Sequence, residues 1–308
     1  MKLATLAMGE TPLAVVLLSN GSALQIAATT RDIPGAAGAA LRSGNLQALI
    51  DAGPEALAEL KRIVDEAEAG GHAEAVVSAD HPFLAPLHAP RKNIFCVGRN
   101  YAEHIAEGER AQKAKIGITD HPVYFTKPAT AVVGHGGDVL IFPAVSEKID
   151  YEVELAVVIG KAGRDIPKER AFEHVFGYTI LNDITARDVQ RRHGGQYFKG
   201  KSLDGSCPIG PWIVTADEIS DPQNLSISLS VNGEVRQDGR THDMIFDIPT
   251  LIASLSEGLT LEPGDIIATG TPSGVGYAMD PPQYLKPGDT VVCQITDIGQ
   301  LKNTVRVA

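Results

Sequence analysis

The chain has 308 residues, of which 44% are hydrophobic and 21% charged, so it can form one large or two modest globular domains with a sizeable core. Acidic side chains number 38 against 27 basic ones, and the net charge of −11 argues against nucleic acid and anionic membrane surfaces as partners. Three widely spaced cysteines and the lack of a long apolar run predict a cytoplasmic protein without disulfides or a membrane span.

Residues 1–84 are predicted to form a small α+β domain. Short strands flank a turn at Asn20-Gly21, and helices are predicted over residues 35–49 and 54–69. The charges in this part of the chain are scattered and do not cluster as catalytic groups do. We therefore expect a structural role for it.

Residues 85–308 are predicted to form a mostly β domain with an antiparallel or mixed core, because strands and turns alternate at short intervals and helices are few. A short helical stretch follows the first strand, and within it His104 and Glu107 share one helix face. The polar stretch 108–120 has the composition of a mobile lid loop.

An acidic stretch precedes the unbroken apolar run Leu155–Ile159, which ends at a glycine and predicts a buried strand. Strand alternation predicts that Asp150, Glu152 and Glu154 share one face. Carboxylates this close on a core strand repel one another and are costly to desolvate, and a bound cation would offset both effects.

The next predicted strand, 175–181, leads directly into Asn182-Asp183. Thr185 and Asp188 have the spacing of a capping box, which predicts a helix beginning at Thr185. Asp183 therefore lies at a strand-to-helix corner, and its spacing leaves open whether it is a turn residue or a ligand. Further along, the glycine-rich turn (residues 270–276) could offer backbone N–H groups to an anion.

Six short motifs occur in a fixed order, and together they resemble the fumarylacetoacetate hydrolase (FAH) family, in its shorter microbial and mitochondrial subgroup. The motifs are Gly98-Arg-Asn-Tyr-Ala-Glu-His-Ile-Ala-Glu107, Phe125-Thr-Lys127-Pro, Asp150-Tyr-Glu-Val-Glu154, Asn182-Asp-Ile-Thr-Ala-Arg-Asp-Val-Gln190, Lys199-Gly-Lys-Ser and Thr269-Gly-Thr-Pro-Ser-Gly-Val-Gly276. The resemblance covers residues 85–308. It implies an α+β fold with mixed sheets rolled into a barrel or sandwich, a small extra N-terminal domain, and a homodimer.

The resemblance also implies a metal site formed by Glu152, Glu154 and Asp183. Three carboxylates without histidine or cysteine favour a hard divalent cation, Mg²⁺ or Mn²⁺. Asp150 is not a ligand in the family pattern, and we expect it to lie beside the metal site.

The catalytic residues implied by the resemblance are His104, Glu107 and Lys201. Glu107 would orient His104, His104 would deprotonate a water molecule, and Lys201 would stabilise an enolate. The predicted substrate-binding residues are Lys127, Gln190, Thr271, Arg99 and Tyr101; Arg99 and Tyr101, together with Arg187, are interpreted as structural or charge-neutralising groups.

These features predict a Mg²⁺- or Mn²⁺-dependent hydrolase that cleaves a C–C bond in an acylpyruvate-type 2,4-dioxo acid and releases pyruvate or a related 2-oxo acid. A decarboxylase or isomerase of 2-oxo or 2-hydroxymuconate-type diacids, including an oxaloacetate decarboxylase, is an alternative at the same site. A non-catalytic binding module is a third reading. The small anionic substrate itself depends on residues 108–120 and on Gln196, Tyr197 and Phe198, whose pattern predicts no specificity.

Overall fold

The computed structural model describes residues 1–9, 11–29, 33–115 and 117–308. The predicted strand region 1–32 and the predicted lid loop 108–120 therefore fall partly outside the described residues. The described strands are β1 (Lys2–Met8), β2 (Thr11–Leu17), β3 (Ser22–Gln25), β4 (Val76–Ser78), β5 (Phe83–Leu84), β6 (Ile94–Gly98), β7 (Val123–Lys127), β8 (Val132–Val133), β9 (Asp138–Ile141), β10 (Ile149–Asp150), β11 (Val153–Ile159), β12 (Val175–Asn182), β13 (Thr185–Ala186), β14 (Cys207–Thr215), β15 (Ser226–Val231), β16 (Glu234–Arg240), β17 (Ile266–Ala268), β18 (Thr290–Ile295) and β19 (Gly299–Val307). The described α-helices are α1 (Gly35–Arg42), α2 (Leu46–Glu68), α3 (Ala102–Gln112), α4 (Arg187–Arg192) and α5 (Ile248–Ser256).

Two open sheets dominate the fold. The larger has 12 strands in the order β4-β3-β2-β1-β14-β12-β11-β17-β6-β7, with β5 paired to β1 and β8 to β14. The second has 5 strands in the order β16-β15-β18-β19-β9 and packs on β11, β12 and β14. The predicted sheet-dominated α+β class is confirmed. The predicted rolling of the sheets into a barrel or sandwich describes them only loosely, because no barrel closes: in the described residues the larger sheet ends at the separate edge strands β4 and β7.

Strand β11 lies at the centre of the larger sheet, and all its residues are buried. Leu155, Val157 and Ile159 pack in the core shared with the five-stranded sheet. Ala156 and Val158 pack on the opposite side, in a core that includes α2. The unbroken apolar run of this strand thus reflects burial on both faces.

The N-terminal strands extend the larger sheet, because β1 pairs with β14 in the register Lys2↔Val214. The division into domains at residue 84 stays a prediction. The predicted helix over 35–49 is in fact two helices, since the side chain of Asn45 accepts hydrogen bonds from backbone N–H groups at the start of α2. Gly53, with φ of 73°, breaks α2 close to the start of the second predicted helix.

Two local predictions differ from the structure. Thr185 lies in β13 and its hydroxyl donates to the Asp183 carbonyl, so α4 begins two residues later than the capping pattern predicted. Helix α3 continues to Gln112, which makes the start of the predicted lid loop helical.

The three cysteines, Cys96, Cys207 and Cys293, are buried and free, as predicted. In the described part of the chain no helix is long and apolar enough to cross a membrane.

Candidate active site

Three buried carboxylates meet where β11 and β12 lie side by side. Glu152 immediately precedes β11, Glu154 is its second residue, and Asp183 immediately follows β12, with Val153 paired to Asn182. One oxygen from each carboxylate lies within 4.8 Å of the others. We call Glu152, Glu154 and Asp183 the acidic triad.

Backbone contacts fix this arrangement. The Glu152 N–H donates to the Asn182 side-chain oxygen at 3.0 Å, and the Asp183 N–H donates to the Glu152 carbonyl at 2.8 Å. Asp150 does not continue the same strand, because residues 151 and 152 interrupt the ladder between β10 and β11. The predicted alternation therefore places two of the three acids together, and the β12 corner supplies the third.

Two buried lysines contact the acidic triad. Lys201 Nζ lies 2.7 Å from Glu152 Oε2 and 2.6 Å from Asp183 Oδ2. Lys127 Nζ lies 2.8 Å from Asp183 Oδ1 and also donates to the backbone carbonyls of Ile184 and Lys201. Glu154 has no lysine or arginine ion-pair partner among the described residues, and it accepts a hydrogen bond of 2.8 Å from the Gly270 N–H.

The charges of the site shift its pKa values in opposite directions. Burial, with the charges of Asp183 and Glu152, raises the pKa of Glu154 well above its usual value. Burial would also raise the pKa of Glu152, but Lys201 and Arg187 outweigh it and hold that pKa below its usual range. Burial would lower the pKa of Lys201, but Asp183 and Glu152 raise it.

The acidic triad fits a divalent cation. Its donors are three carboxylates, the ligands that Mg²⁺ and Mn²⁺ prefer. Glu154 is buried without an ion-pair partner among the described lysines and arginines, so its negative charge is the least compensated of the three. A hard cation would supply the missing positive charge.

Helix α3 carries the predicted His–Glu pair. Its members, His104 and Glu107, lie on one face of the helix, with His104 Nδ1 2.8 Å from Glu107 Oε1. The other oxygen of Glu107 accepts a hydrogen bond of 2.8 Å from the Gly274 N–H. The histidine ring is therefore held by a carboxylate that is itself anchored to a distant part of the chain.

The backbone N–H groups of the glycine-rich turn donate hydrogen bonds to carboxylate side chains of the protein itself. Its Gly270, Gly274 and Gly276 N–H groups each donate at 2.8 Å, in turn to Glu154, Glu107 and Asp150. The anion-binding character predicted for this turn is thus directed at three carboxylates around the site. Sequence reasoning missed this use, because spacing along the chain does not show which carboxylate meets which N–H group.

A cavity of about 240 Å³ opens beside the acidic triad. The polar and aromatic side chains in its wall include Arg99, His104, Glu152, Glu154, Arg187, Gln190, Arg191, Tyr197, Lys201, Thr271 and Tyr277. Two of the predicted substrate-binding residues lie outside this wall: Lys127 is buried beside Asp183, and Tyr101 is buried in the core. Glu107 and Asp183 also lie outside it, although each contacts a residue of the wall, His104 and Lys201 respectively.

Arg187 belongs to the site more directly than its predicted structural role suggests. Its Nε lies 2.8 Å from Asp150 Oδ2 and its Nη2 lies 2.6 Å from Glu152 Oε1. Its guanidinium also lies over the ring of Tyr277, 4.4 Å from the centroid. Asp150 therefore lies beside the triad, as expected, and Arg187 connects the two.

Sequence reasoning missed Arg191, Tyr277 and Gln237. The i,i+4 spacing of Arg187 and Arg191 is the one signal that could have placed Arg191 on the cavity side. Gln237 is buried, accepts from the Val153 N–H at 2.9 Å and donates to Thr271 Oγ1 at 2.8 Å. It lies in β16, far along the chain from the acidic motif, and nothing in the sequence around it indicates a contact with the site.

Comparison with known proteins supports the family resemblance. Residues 93–306 match the family described as fumarylacetoacetate (FAA) hydrolase C-terminal. The oxaloacetate tautomerase YisK of Bacillus subtilis (strain 168) is 53% identical over 222 residues, which are 72% of this chain and 72% of the relative.

Two solved structures cover the whole chain. A fumarylacetoacetate hydrolase from Exiguobacterium antarcticum is 37% identical, with a TM-score of 0.79 over 100% of both chains. Maleylpyruvate hydrolase from Sphingobium sp. SYK-6, in complex with manganese(II) ion and pyruvate, is 31% identical, with a TM-score of 0.77 over 100% of both chains. The fold, the motifs and these matches together place the chain in the fumarylacetoacetate hydrolase family.

Proposed function

We propose that this protein is a Mg²⁺- or Mn²⁺-dependent enzyme that converts a small 2-oxo acid into its enolate, with keto–enol tautomerisation of oxaloacetate as its reaction. The observation that carries the proposal is the buried acidic triad, in which Lys201 bridges Glu152 and Asp183, beside a cavity whose wall contains Glu152, Glu154 and His104. The similarity to an oxaloacetate tautomerase at 53% identity supports the choice of reaction.

The acidic triad would hold the cation. A bound Mg²⁺ or Mn²⁺ would supply positive charge that stabilises the negative charge developing on the C2 oxygen of the substrate. Lys201 lies against two of the three carboxylates and adds a second positive charge near the same position. In the metal-free site the charges of Asp183 and Glu152 raise the pKa of Lys201 and so favour its protonated form.

Tautomerisation requires one proton to leave C3 and one to reach the C2 oxygen. When the C3 proton leaves, the C–H electron pair forms the C2=C3 double bond and the carbonyl electrons move to oxygen. His104 can accept that proton through Nε2, because Glu107 already engages Nδ1. Return of a proton to oxygen then gives the enol.

C–C hydrolysis of an acylpyruvate is the second candidate, and the His–Glu pair favours it. In this reaction His104 would take a proton from water, and the resulting hydroxide would attack the C4 carbonyl. The C3–C4 bond then breaks, its electron pair forms the enolate of pyruvate, and a proton added at C3 completes the product. The similarity to a maleylpyruvate hydrolase supports this alternative.

The reactions are separated by assaying the Mg²⁺-loaded protein on three substrates. Loss of the enol absorbance of oxaloacetate reports tautomerisation, carbon dioxide release reports decarboxylation, and pyruvate release from acetylpyruvate and fumarylpyruvate reports hydrolysis. We expect tautomerisation to be the fastest, and His104→Gln to slow it by about 10²-fold or more. Faster hydrolysis would establish the second candidate, and no turnover with either metal would overturn the proposal.

A further inference from the structure

We propose that Arg191, held against Tyr277, binds the second carboxylate of the substrate and makes the site selective for 2-oxo diacids over the corresponding monoacids. This inference deepens the proposed function, because it assumes that the first carboxylate and the C2 oxygen bind beside the acidic triad. It assigns a specificity-determining role to a residue that the motifs did not indicate.

The positively charged side chains in the cavity wall differ in whether a carboxylate of the protein already pairs with them. Lys201 and Arg187 each form ion pairs with two buried carboxylates. Arg99 and Arg191 form no ion pair with any carboxylate in the described part of the chain, and their guanidiniums lie over Tyr197 and Tyr277. The cavity thus has positive charge that the protein leaves uncompensated.

Arg191 is placed so that an anion would relieve a repulsion. Arg187 and Arg191 are four residues apart on α4, and both guanidiniums lie over the ring of Tyr277, at 4.4 and 5.2 Å from its centroid. Two like charges against one ring repel each other. Only Arg187 is neutralised by acids of the protein, so a carboxylate at Arg191 would reduce the repulsion and gain charge-assisted hydrogen bonds.

The position of Arg191 also matches the order of groups in a small diacid. Arg187 contacts Glu152, a member of the acidic triad, and Arg191 lies one helical turn further along the same face. A ligand that occupies the triad with one end would therefore present its other end to Arg191. A cavity of about 240 Å³ suits a molecule of this size and not a long-chain acid.

Arg99 is the competing candidate for the second carboxylate. It lies in the same cavity, over Tyr197 at 5.8 Å, and its backbone has a φ of 59°. It does not share a ring with a second guanidinium, so the repulsion argument does not apply to it. The binding experiment therefore includes the Arg99→Gln variant.

The test is equilibrium binding of two unreactive analogues to the Mg²⁺-loaded protein, measured by calorimetry. Malate and 2-hydroxybutyrate differ in that a carboxylate replaces a methyl group at the distal end. We expect the wild type to bind malate more tightly, and Arg191→Gln to weaken malate binding by about 10- to 100-fold while 2-hydroxybutyrate binding is unchanged. Arg192→Gln is the matched control, because Arg192 is the next residue of α4 and forms its own ion pair with Asp188.

The proposal is overturned if the wild type does not prefer malate, if Arg191→Gln keeps the preference, or if Arg99→Gln alone abolishes it. Because binding is measured without turnover, the result is independent of the reaction. A malate preference that depends on Arg191, in a protein without turnover on the substrate panel, would support this inference and reject the proposed function. Turnover of oxaloacetate with an unaltered preference in Arg191→Gln would do the reverse.

Discussion

Glu107 and Gly274 are 167 residues apart in the chain and are joined by a hydrogen bond of 2.8 Å from the Gly274 N–H to Glu107 Oε2. The same carboxylate lies 2.8 Å from His104 Nδ1 through its other oxygen. The glycine-rich turn therefore fixes the orientation of a residue on α3. A histidine held in this way keeps Nε2 available for proton transfer.

Replacing Glu107 tests this relationship. Glu107→Gln removes the carboxylate that orients His104, so we expect kcat to fall by about 10²-fold with little change in KM. The control is Glu103→Gln, since Glu103 is exposed on the same helix. Equal kcat values for Glu107→Gln and the wild type would show that the pair has no role in proton transfer.

Gly274 cannot be replaced without strain. Its φ is 107°, and a Cβ at this position would lie 2.0 Å from the Arg236 carbonyl oxygen. Gly288, with φ of 92° and open space around it, provides the control for backbone conformation alone. We expect Gly288→Ala to lower the free energy of unfolding by about 1–2 kcal/mol and Gly274→Ala by about 1–3 kcal/mol more, measured by urea denaturation. Equal losses would show that the backbone near Arg236 relaxes easily.

Lys201 balances two buried carboxylates, so its removal is costly. In metal-free protein Lys201→Met should lower the free energy of unfolding by about 3–5 kcal/mol, because Glu152 and Asp183 lose a buried cation. Mg²⁺ should then raise the melting temperature of this variant more than that of the wild type. Lys199→Met, at an exposed position of the same turn, is the control. A variant with wild-type stability in the absence of metal contradicts this account of the site.

His135, which lies away from the site, is expected to make the stability of the fold depend on pH. Burial, reinforced by the charge of Lys302, lowers its pKa in the folded state, and its Nδ1 accepts a hydrogen bond of 3.2 Å from the Lys302 N–H. The unfolded chain binds a proton on this histidine near pH 6.5, so the stability it contributes is present above about pH 6.5 and is lost as the pH falls toward the lower folded-state pKa.

We expect His135→Gln to lose less stability than the wild type between about pH 7 and about pH 5. Urea denaturation at the two pH values measures the difference, with His81→Gln as the control. If the two variants and the wild type lose stability equally, the folded-state pKa of His135 is not lowered.

The sequence was most informative where a pattern is local. The apolar run Leu155–Ile159 predicted a strand, which the structure buries on both faces, and the Asn20-Gly21 turn predicted the hairpin of β2 and β3. Clustered acids predicted that Glu152 and Glu154 lie together, and the family motifs added Asp183, which β12 brings beside them.

Long-range contacts account for most of what the sequence did not predict. The extension of the larger sheet by β1, the contact of Gln237 with Thr271 and the use of the glycine-rich turn by three acids all join distant segments. Thr185 illustrates a different limit. Its spacing to Asp188 matched a capping box, but pairing of β13 with β10 places it in a strand, where tertiary structure overrides the local preference.

The central claim is that the acidic triad binds one catalytic divalent cation. Its most direct test is titration of Mn²⁺ into metal-stripped protein while tautomerisation of oxaloacetate is followed, in the wild type and in the Glu152→Ala and Glu154→Ala variants. We predict that activity is absent without metal and rises to a plateau at one equivalent of Mn²⁺, and that both variants fold but neither binds the ion nor regains activity. Full activity in the metal-stripped protein, or activity in a variant that carries both Glu152→Ala and Glu154→Ala, would contradict the claim.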